Sequence, residues 1–273
     1  MSITASMVKD LREKTGAGMM DCKKALVESD GDEEKAIIYL REKGLAKAAK
    51  KAGRATSEGR IGSYVSADGK HAVLVELKCE TDFVAKNEEF QAFADALAEK
   101  VAGLDVTAGN AEDLPEDMVD VADLIAKLGE NMQVGRFAKL NADGVIGLYI
   151  HSNGKIGTLV SINGSDNAEA AKDVAMQVAA ANPVCTTPDQ LPQDNIDKEK
   201  AIYLKQAMDE GKPEEIAEKI VMGRINKYYK EVCLVEQPFI KEDKKSVKQY
   251  LKDAGAGTVG DFVRLELGDD AED

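Results

Sequence analysis

Over the first fifty residues apolar positions recur at helical spacing. Val8 and Leu11 mark one helix, Cys22, Ala25 and Leu26 a second, and Ala36, Ile37 and Leu40 a third. Asp32 is placed to cap the third helix and Gly44 to stop it, so residues 1–54 read as a small module of three helices. Between the first two helices lies Thr15-Gly16-Ala17-Gly18-Met19-Met20. Its glycines let the backbone turn, and its methionines are adaptable apolar contacts for a core, a binding surface, or one of each.

Beyond residue 55 the period changes. Gly59-Arg60-Ile61-Gly62-Ser63-Tyr64-Val65 is matched 85 positions later by Gly144-Val145-Ile146-Gly147-Leu148-Tyr149-Ile150. The same offset carries Gly69-Lys70 onto Gly154-Lys155 and Leu74-Val75 onto Leu159-Val160. Each copy reads as two alternating strands joined at Asp68-Gly69 or Asn153-Gly154, with a helix following at about 88–102 and about 168–181. A third pair of elements closes each copy: a helix over 121–129 before the strand of Val134, Arg136, Ala138 and Leu140, and a helix with Val247, Tyr250 and Leu251 before the strand around Phe262. The fold class expected is therefore α+β, a core of antiparallel sheet plus helices made twice, with copies at 55–140 and 141–273. Within the second copy, residues 195–231 carry Ile196, Ala201, Leu204 and Met208, then a break at Gly211-Lys212-Pro213, then Ile216, Ile220 and Ile225. They read as an inserted helical hairpin with Pro213 in the first turn of its second helix.

One segment stands apart from this regularity. Ala72 to Leu77 has the pattern of a buried strand, and Phe90, Phe93, Ala94, Leu97 and Val101 share a helical face. Glu80-Thr81-Asp82-Phe83-Val84-Ala85-Lys86 lies between them, with Phe83 on a turn. The 85-residue offset sets Asp82 and Phe83 against Asn167 and Ala168, so the second copy lacks the ring. Phe83 is either a core plug or an exposed contact.

Charge narrows the partners. The chain carries a net −14, but twelve basic and nine acidic residues give the first 54 a net +3, leaving −17 for the remainder. A protein or small ligand suits this balance better than direct binding of nucleic acid, for which the 5% aromatic content and absent Trp also supply little. Arg41, Lys43, Lys47, Lys50, Lys51 and Arg54, against Glu42 alone, form either a solvated helix and linker or a patch for an acidic surface. Cys22, Cys79, Cys185 and Cys233 form no CxxC pair, so neither a metal site nor a disulfide framework is expected, and reduced cytoplasmic thiols are the default. No stretch approaches the ~20 apolar residues of a membrane span, and no targeting signal is visible. His71 and His151 sit beside the turns without a neighbouring nucleophile. With no phosphate-loop, dinucleotide, zincin or nucleophile-elbow pattern, the chain reads as a binding protein with no cofactor and no metal.

Two long segments carry a resemblance. Leu11-Arg12 through Thr15-Gly16-Ala17-Gly18-Met19-Met20-Asp21-Cys22-Lys23-Lys24-Ala25-Leu26, and Glu76-Leu77-Lys78-Cys79-Glu80-Thr81-Asp82-Phe83-Val84-Ala85-Lys86, resemble the two signature regions of the bacterial translation elongation factor Ts family. One departure is Lys78, where the family pattern has a smaller residue such as Asn or Val. The resemblance implies guanine-nucleotide exchange on elongation factor Tu, in its GDP-bound and nucleotide-free forms, by binding and not by catalysis. It implies a ubiquitin-associated-like head that docks through Arg12, Met19, Met20 and Lys23, and a Thr81-Asp82-Phe83-Val84 turn that works near the partner's magnesium site. Lys51, Leu128, Gly129, His151 and Ile240 map as further contacts. The hairpin maps as a coiled-coil element that makes a homodimer or heterotetramer in some members. Some members add a helix after the last strand, where this chain has Gly268 to Asp273. The alternatives are a peptide- or RNA-binding module built on the helical head, or an enzyme; the head alone explains neither the doubled strands nor the signature turn.

Overall fold

In the computed structural model, which describes residues 3–269, helices and antiparallel sheet combine in an α+β architecture. The chain divides into two units. The first holds the chain up to Ser63, Val75–Phe137 and the chain from Glu266; the second holds Tyr64–Leu74 and Ala138–Leu265. No described helix is long and apolar enough to cross a membrane. Asp270 to Asp273, which end the sequence, lie outside the described residues.

In the first unit α1 (Ala5–Thr15) is capped by Thr4, whose hydroxyl accepts from Met7 N at 3.3 Å, and closes on Gly16 at φ +65°. Helices α2 (Met19–Glu28) and α3 (Glu33–Lys51) follow, the latter capped by Asp32 as its sequence requires. Val8, Leu11, Cys22, Ala25, Leu26 and Ala36 form the core of this module. Two expectations fail here. Ile37 is exposed, and Gly44 does not stop α3, which runs on for two further turns. Gly44 is buried, and a Cβ there would lie 3.3 Å from the Cβ of Ala126; its missing side chain serves close helix packing and not termination.

Strands β1 (Glu58–Val65) and β2 (His71–Cys79) flank the Asp68-Gly69 turn, where Gly69 adopts φ +70°. The short helix α4 (Asp82–Ala85), α5 (Glu88–Ala102), the two-residue strand β3 (Ala108–Gly109), α6 (Ala122–Leu128) and β4 (Met132–Asn141) complete the series. The sheet order is β1-β2-β4-β3. Interior placement of β2 explains its unbroken buried run, and Phe90, Ala94, Leu97, Ala98 and Val101 of α5 are buried while Phe93 is half-buried. Gly62 permits the approach of α5, since a Cβ would stand 2.3 Å from the carbonyl oxygen of Ala94. Glu76 is fully buried within β2 and is satisfied by Arg136, whose backbone N donates at 3.0 Å and whose guanidinium donates from Nε at 3.1 Å and from Nη2. Arg136 thus neutralises a carboxylate that the sheet buries.

The second unit contains β5 (Val145–Ile150) and β6 (Ile156–Asn163), antiparallel with Val145 opposite Ile162 and Ile150 opposite Gly157, then α7 (Ala168–Ala181). The hairpin follows as α8 (Gln193–Asp209) and α9 (Glu214–Val232), turning through Gly211 at φ +74°. Pro213 is the N-cap of α9, one place earlier than its first turn. Ile196, Val221 and Ile225 are buried with Tyr203, Leu204 and Tyr228 against them, and Ala207 and Ala217 are fully covered. Ala201, Met208 and Ile216, expected on the apolar face, are exposed. Strands β7 (Pro238–Phe239) and β8 (Glu242–Ser246), α10 (Val247–Asp253) and β9 (Thr258–Glu266) end the unit, and the sheet order is β5-β6-β9. Its core joins Val160, Ile162, Ala171, Val174, Val178, Phe239 and Leu251.

The 85-residue equivalence stops at the end of the second strand of each hairpin. Residues 80–87 connect β2 to α5 and include α4, whereas only residues 164–167 connect β6 to α7. Setting Asp82 and Phe83 against Asn167 and Ala168 is therefore incorrect: α4 is an added turn of helix with no counterpart, and Asn167 caps α7 directly by accepting from Ala170 N at 3.0 Å.

Candidate functional site

A helix of four residues has little intrinsic stability, so α4 must be held by its neighbours. Thr81 begins it. Its hydroxyl accepts from Val84 N at 3.4 Å and donates to Glu130 Oε1 at 2.6 Å, while its backbone N donates to Glu130 Oε2 at 3.0 Å. Glu130 thereby grips both ends of one residue. The buried Cys79 thiol donates to the Thr81 carbonyl at 3.2 Å; burial, and then the Glu130 carboxylate, push that thiol up to about 12. Asp82 pairs with Lys86 at 2.6 Å across one helical turn, and Asn87 then caps α5 by accepting from Glu89 N at 2.8 Å.

The support continues outward. Glu80 accepts from Asn131 N at 2.6 Å and faces Arg54 at 3.3 Å; the first contact, more than the second, holds its carboxyl below the usual carboxylate range. The Asn131 side chain donates to the Arg54 carbonyl at 2.8 Å, and Lys51 Nζ donates to the Gly129 carbonyl at 2.5 Å. The ends of α3 and α6 and the β2–α4 connection are thus one hydrogen-bonded scaffold. Phe83 projects from it with 82% of its surface exposed. The core-plug reading is excluded, and the expected turn is a short helix that presents a ring to solvent. Val84 beside it is half-buried.

The same unit displays a second apolar surface. Met19 is 55% and Met20 73% exposed, so neither is core. With Ile3, Thr4, Ala5, Val8, Lys9 and Lys23 they line a cleft of about 520 Å³. Arg12 is exposed on α1 but does not line it. Four cations of the basic run have partners within the fold. Lys43 and Lys47 bind Asp21 at 2.6 and 2.8 Å, holding its carboxyl below the usual range, and Lys51 and Arg54 have the partners named above. The run is helical as far as Lys51, with Arg54 beyond the end of α3. No group of three or more His, Cys, Asp or Glu placed to hold a metal ion occurs among the described residues.

Comparison with known proteins decides the lineage. Residues 80–269 match the family model described as elongation factor TS. Over 99% of its length the chain is 52% identical to elongation factor Ts of Nitratidesulfovibrio vulgaris strain DP4, covering 98% of that relative. It is also 52% identical to elongation factor Ts of Clostridium botulinum strain Alaska E43, with 99% of the chain and 94% of the relative covered. The chain belongs to the elongation factor Ts family.

Of the contacts that elongation factor Ts resemblance carried over, Thr81, Asp82, Phe83, Val84, Lys51, Leu128 and Gly129 lie on or beside the α4 scaffold. Leu128 is half-buried, and Gly129 closes α6 at φ +84°. Arg12, Met19, Met20 and Lys23 lie in the helical module. His151 and Ile240 belong to the second unit. The first is exposed with its ring nitrogen 3.0 Å from the Tyr149 hydroxyl; the second is 45% exposed and donates from its backbone N to Gln177 at 2.8 Å. Glu130 and Asn131 escaped the sequence reading. The one available hint was that both follow Gly129, the helix-ending glycine, because no spacing rule joins positions 49 residues apart.

Proposed function

We propose that this chain promotes GDP release from elongation factor Tu by inserting Phe83 as an apolar wedge among helices of the partner, disturbing its magnesium and phosphate contacts. Family membership carries the coarser statement, that such factors serve nucleotide exchange on elongation factor Tu during translation elongation and act by binding. The finer statement rests on one observation: a ring 82% exposed at the tip of a helix that its surroundings hold fast. A single buried aromatic anchor is the usual form of an interface hot spot, and a rigid mount spares the ordering cost of binding. Asp82 serves by fixing the turn through Lys86.

The division of labour we infer is a helical head over 1–54, similar to a ubiquitin-associated fold and docking through Met19, Met20, Arg12 and Lys23; a first core copy over 55–140 that carries the wedge; and a second over 141–273. The exposed Ile202, Met208, Ile216 and Met222 support use of the hairpin for a homodimer or heterotetramer. A cytoplasmic site of action follows from the same reading.

Exchange is reciprocal. A factor that loosens GDP must itself bind the nucleotide-free partner more tightly than the loaded one by the same factor. Calorimetric titration of purified elongation factor Tu, nucleotide-free and GDP-saturated, tests this. Affinity for the empty form at least a hundredfold higher is expected, and equal affinities would remove the exchange reading.

A further inference from the structure

Two cysteines 48 positions apart meet at the root of the hairpin. Cys185 enters it ahead of α8 and Cys233 leaves it directly after α9, and the two residues form a parallel β-bridge. The backbone is tightly registered around them: Val184 N donates to Val232 O at 2.8 Å, Leu234 N to Cys185 O at 2.9 Å, and Val235 N to Thr186 O at 3.1 Å. Neighbouring strands stand roughly 4.8 Å apart, inside the range of about 4.4–6.8 Å over which Cα atoms can be bridged by a disulfide. The sulfurs already lie 3.5 Å from each other with both thiols free. Nothing in the exchange mechanism uses them.

We propose that Cys185 and Cys233 are a reversible oxidation site, closed to an intramolecular disulfide by hydroperoxides. Cys233 is fully buried, whereas Cys185 is half-buried beside Val184, which is 68% exposed, so the oxidant reaches Cys185 first. The Cys185 thiolate attacks the peroxide, breaking the O–O bond, forming a sulfenic acid and releasing hydroxide or, from an alkyl hydroperoxide, alkoxide, which takes up the thiol proton as water or alcohol. Cys233 sulfur then attacks the sulfenic sulfur; the S–S bond forms, the S–O bond breaks, and the departing oxygen leaves as water with the Cys233 proton. In sum, two thiols and one hydroperoxide give one disulfide, one water and one further water or alcohol. Burial pushes both thiols up, Cys233 to about 12, so the reaction is slow at neutral pH and faster as alkalinity supplies the Cys185 thiolate. The product ties the entry of the hairpin to its exit.

The test treats the reduced full-length chain with hydrogen peroxide, alkylates the remaining thiols after unfolding, and maps peptides without reduction. A loss of two hydrogens in the intact mass is expected, with the Cys185 and Cys233 peptides linked, Cys22 and Cys79 alkylated, and the link reversed by dithiothreitol. Cys185→Ser, at the half-buried position, abolishes the link and leaves Cys233 as a thiol. Hydrogen exchange at residues 184–186 and 232–235 slows at least tenfold in the oxidised wild-type chain, a readout that needs no variant. Conversion of Cys185 to sulfinic or sulfonic acid without a link, a disulfide between two copies, or no oxidation at all would overturn the proposal.

Discussion

Replacing Phe83 by alanine removes a ring that the folded chain does not use. Because 82% of it is exposed, the substitution changes folding stability by no more than about 0.5 kcal/mol, the usual range for a surface position. Its effect appears only if the ring is buried in a complex. Fully burying a phenylalanine contributes roughly 1.5–3 kcal/mol. Scaled to the exposed fraction this becomes about 1.2–2.5 kcal/mol, which at about 1.4 kcal/mol per decade is a roughly seven- to sixtyfold loss in rate. The assay is stopped-flow release of a fluorescent GDP from elongation factor Tu at subsaturating concentrations of wild-type or Phe83→Ala chain, beside thermal unfolding of each. A slowing below threefold with an unchanged Tm would refute the wedge, and a large fall in Tm would refute the reasoning that makes the ring free of the fold.

Two further expectations follow from the supports. Glu130→Ala leaves Thr81 N and its hydroxyl without their shared acceptor; it should cost about 1–3 kcal/mol in urea unfolding and slow stimulated GDP release even though Phe83 is intact, whereas unchanged release would show that α4 needs no clamp. In the second unit, burial first and then the hydrogen bond to Asp173 at 2.9 Å push the Tyr250 phenol up to about 12, against about 10 when unfolded. The folded chain therefore holds this proton more tightly, and the stabilisation is complete below about pH 10 and lost as pH rises through about 12. Urea unfolding near both limits should show this loss, and Tyr250→Phe should flatten it; an identical pH profile for the two chains would contradict the assignment.

How far the sequence reached depended on whether a signal was local. Period and turn chemistry placed α5 at 88–102 and α7 at 168–181, since a hairpin turn followed by an apolar stripe is written in neighbouring residues. Gly44 was misread because a stop glycine and a packing glycine look alike until Ala126, far along the chain, is seen against it. The faces of the hairpin were misjudged for a related reason: Ala207 and Ala217, too small to dominate an apolar pattern, mark where the helices meet, while the larger Met208 and Ile216 face solvent. At the site, the aromatic of α4 was legible as an irregularity, but its exposure was not, because the grip of Glu130 on Thr81 depends on two elements brought together only by the fold. The meeting of Cys185 and Cys233 was hidden in the same way by the hairpin between them.

The central claim is that this chain frees GDP from elongation factor Tu by binding, and the most direct measurement is the release rate of labelled GDP from that partner, in excess unlabelled GDP, with the wild-type chain present at substoichiometric concentration. The account predicts complete release, at a rate that rises with the concentration of the chain and through more than one turnover per molecule. A rate equal to spontaneous dissociation at every concentration would contradict it.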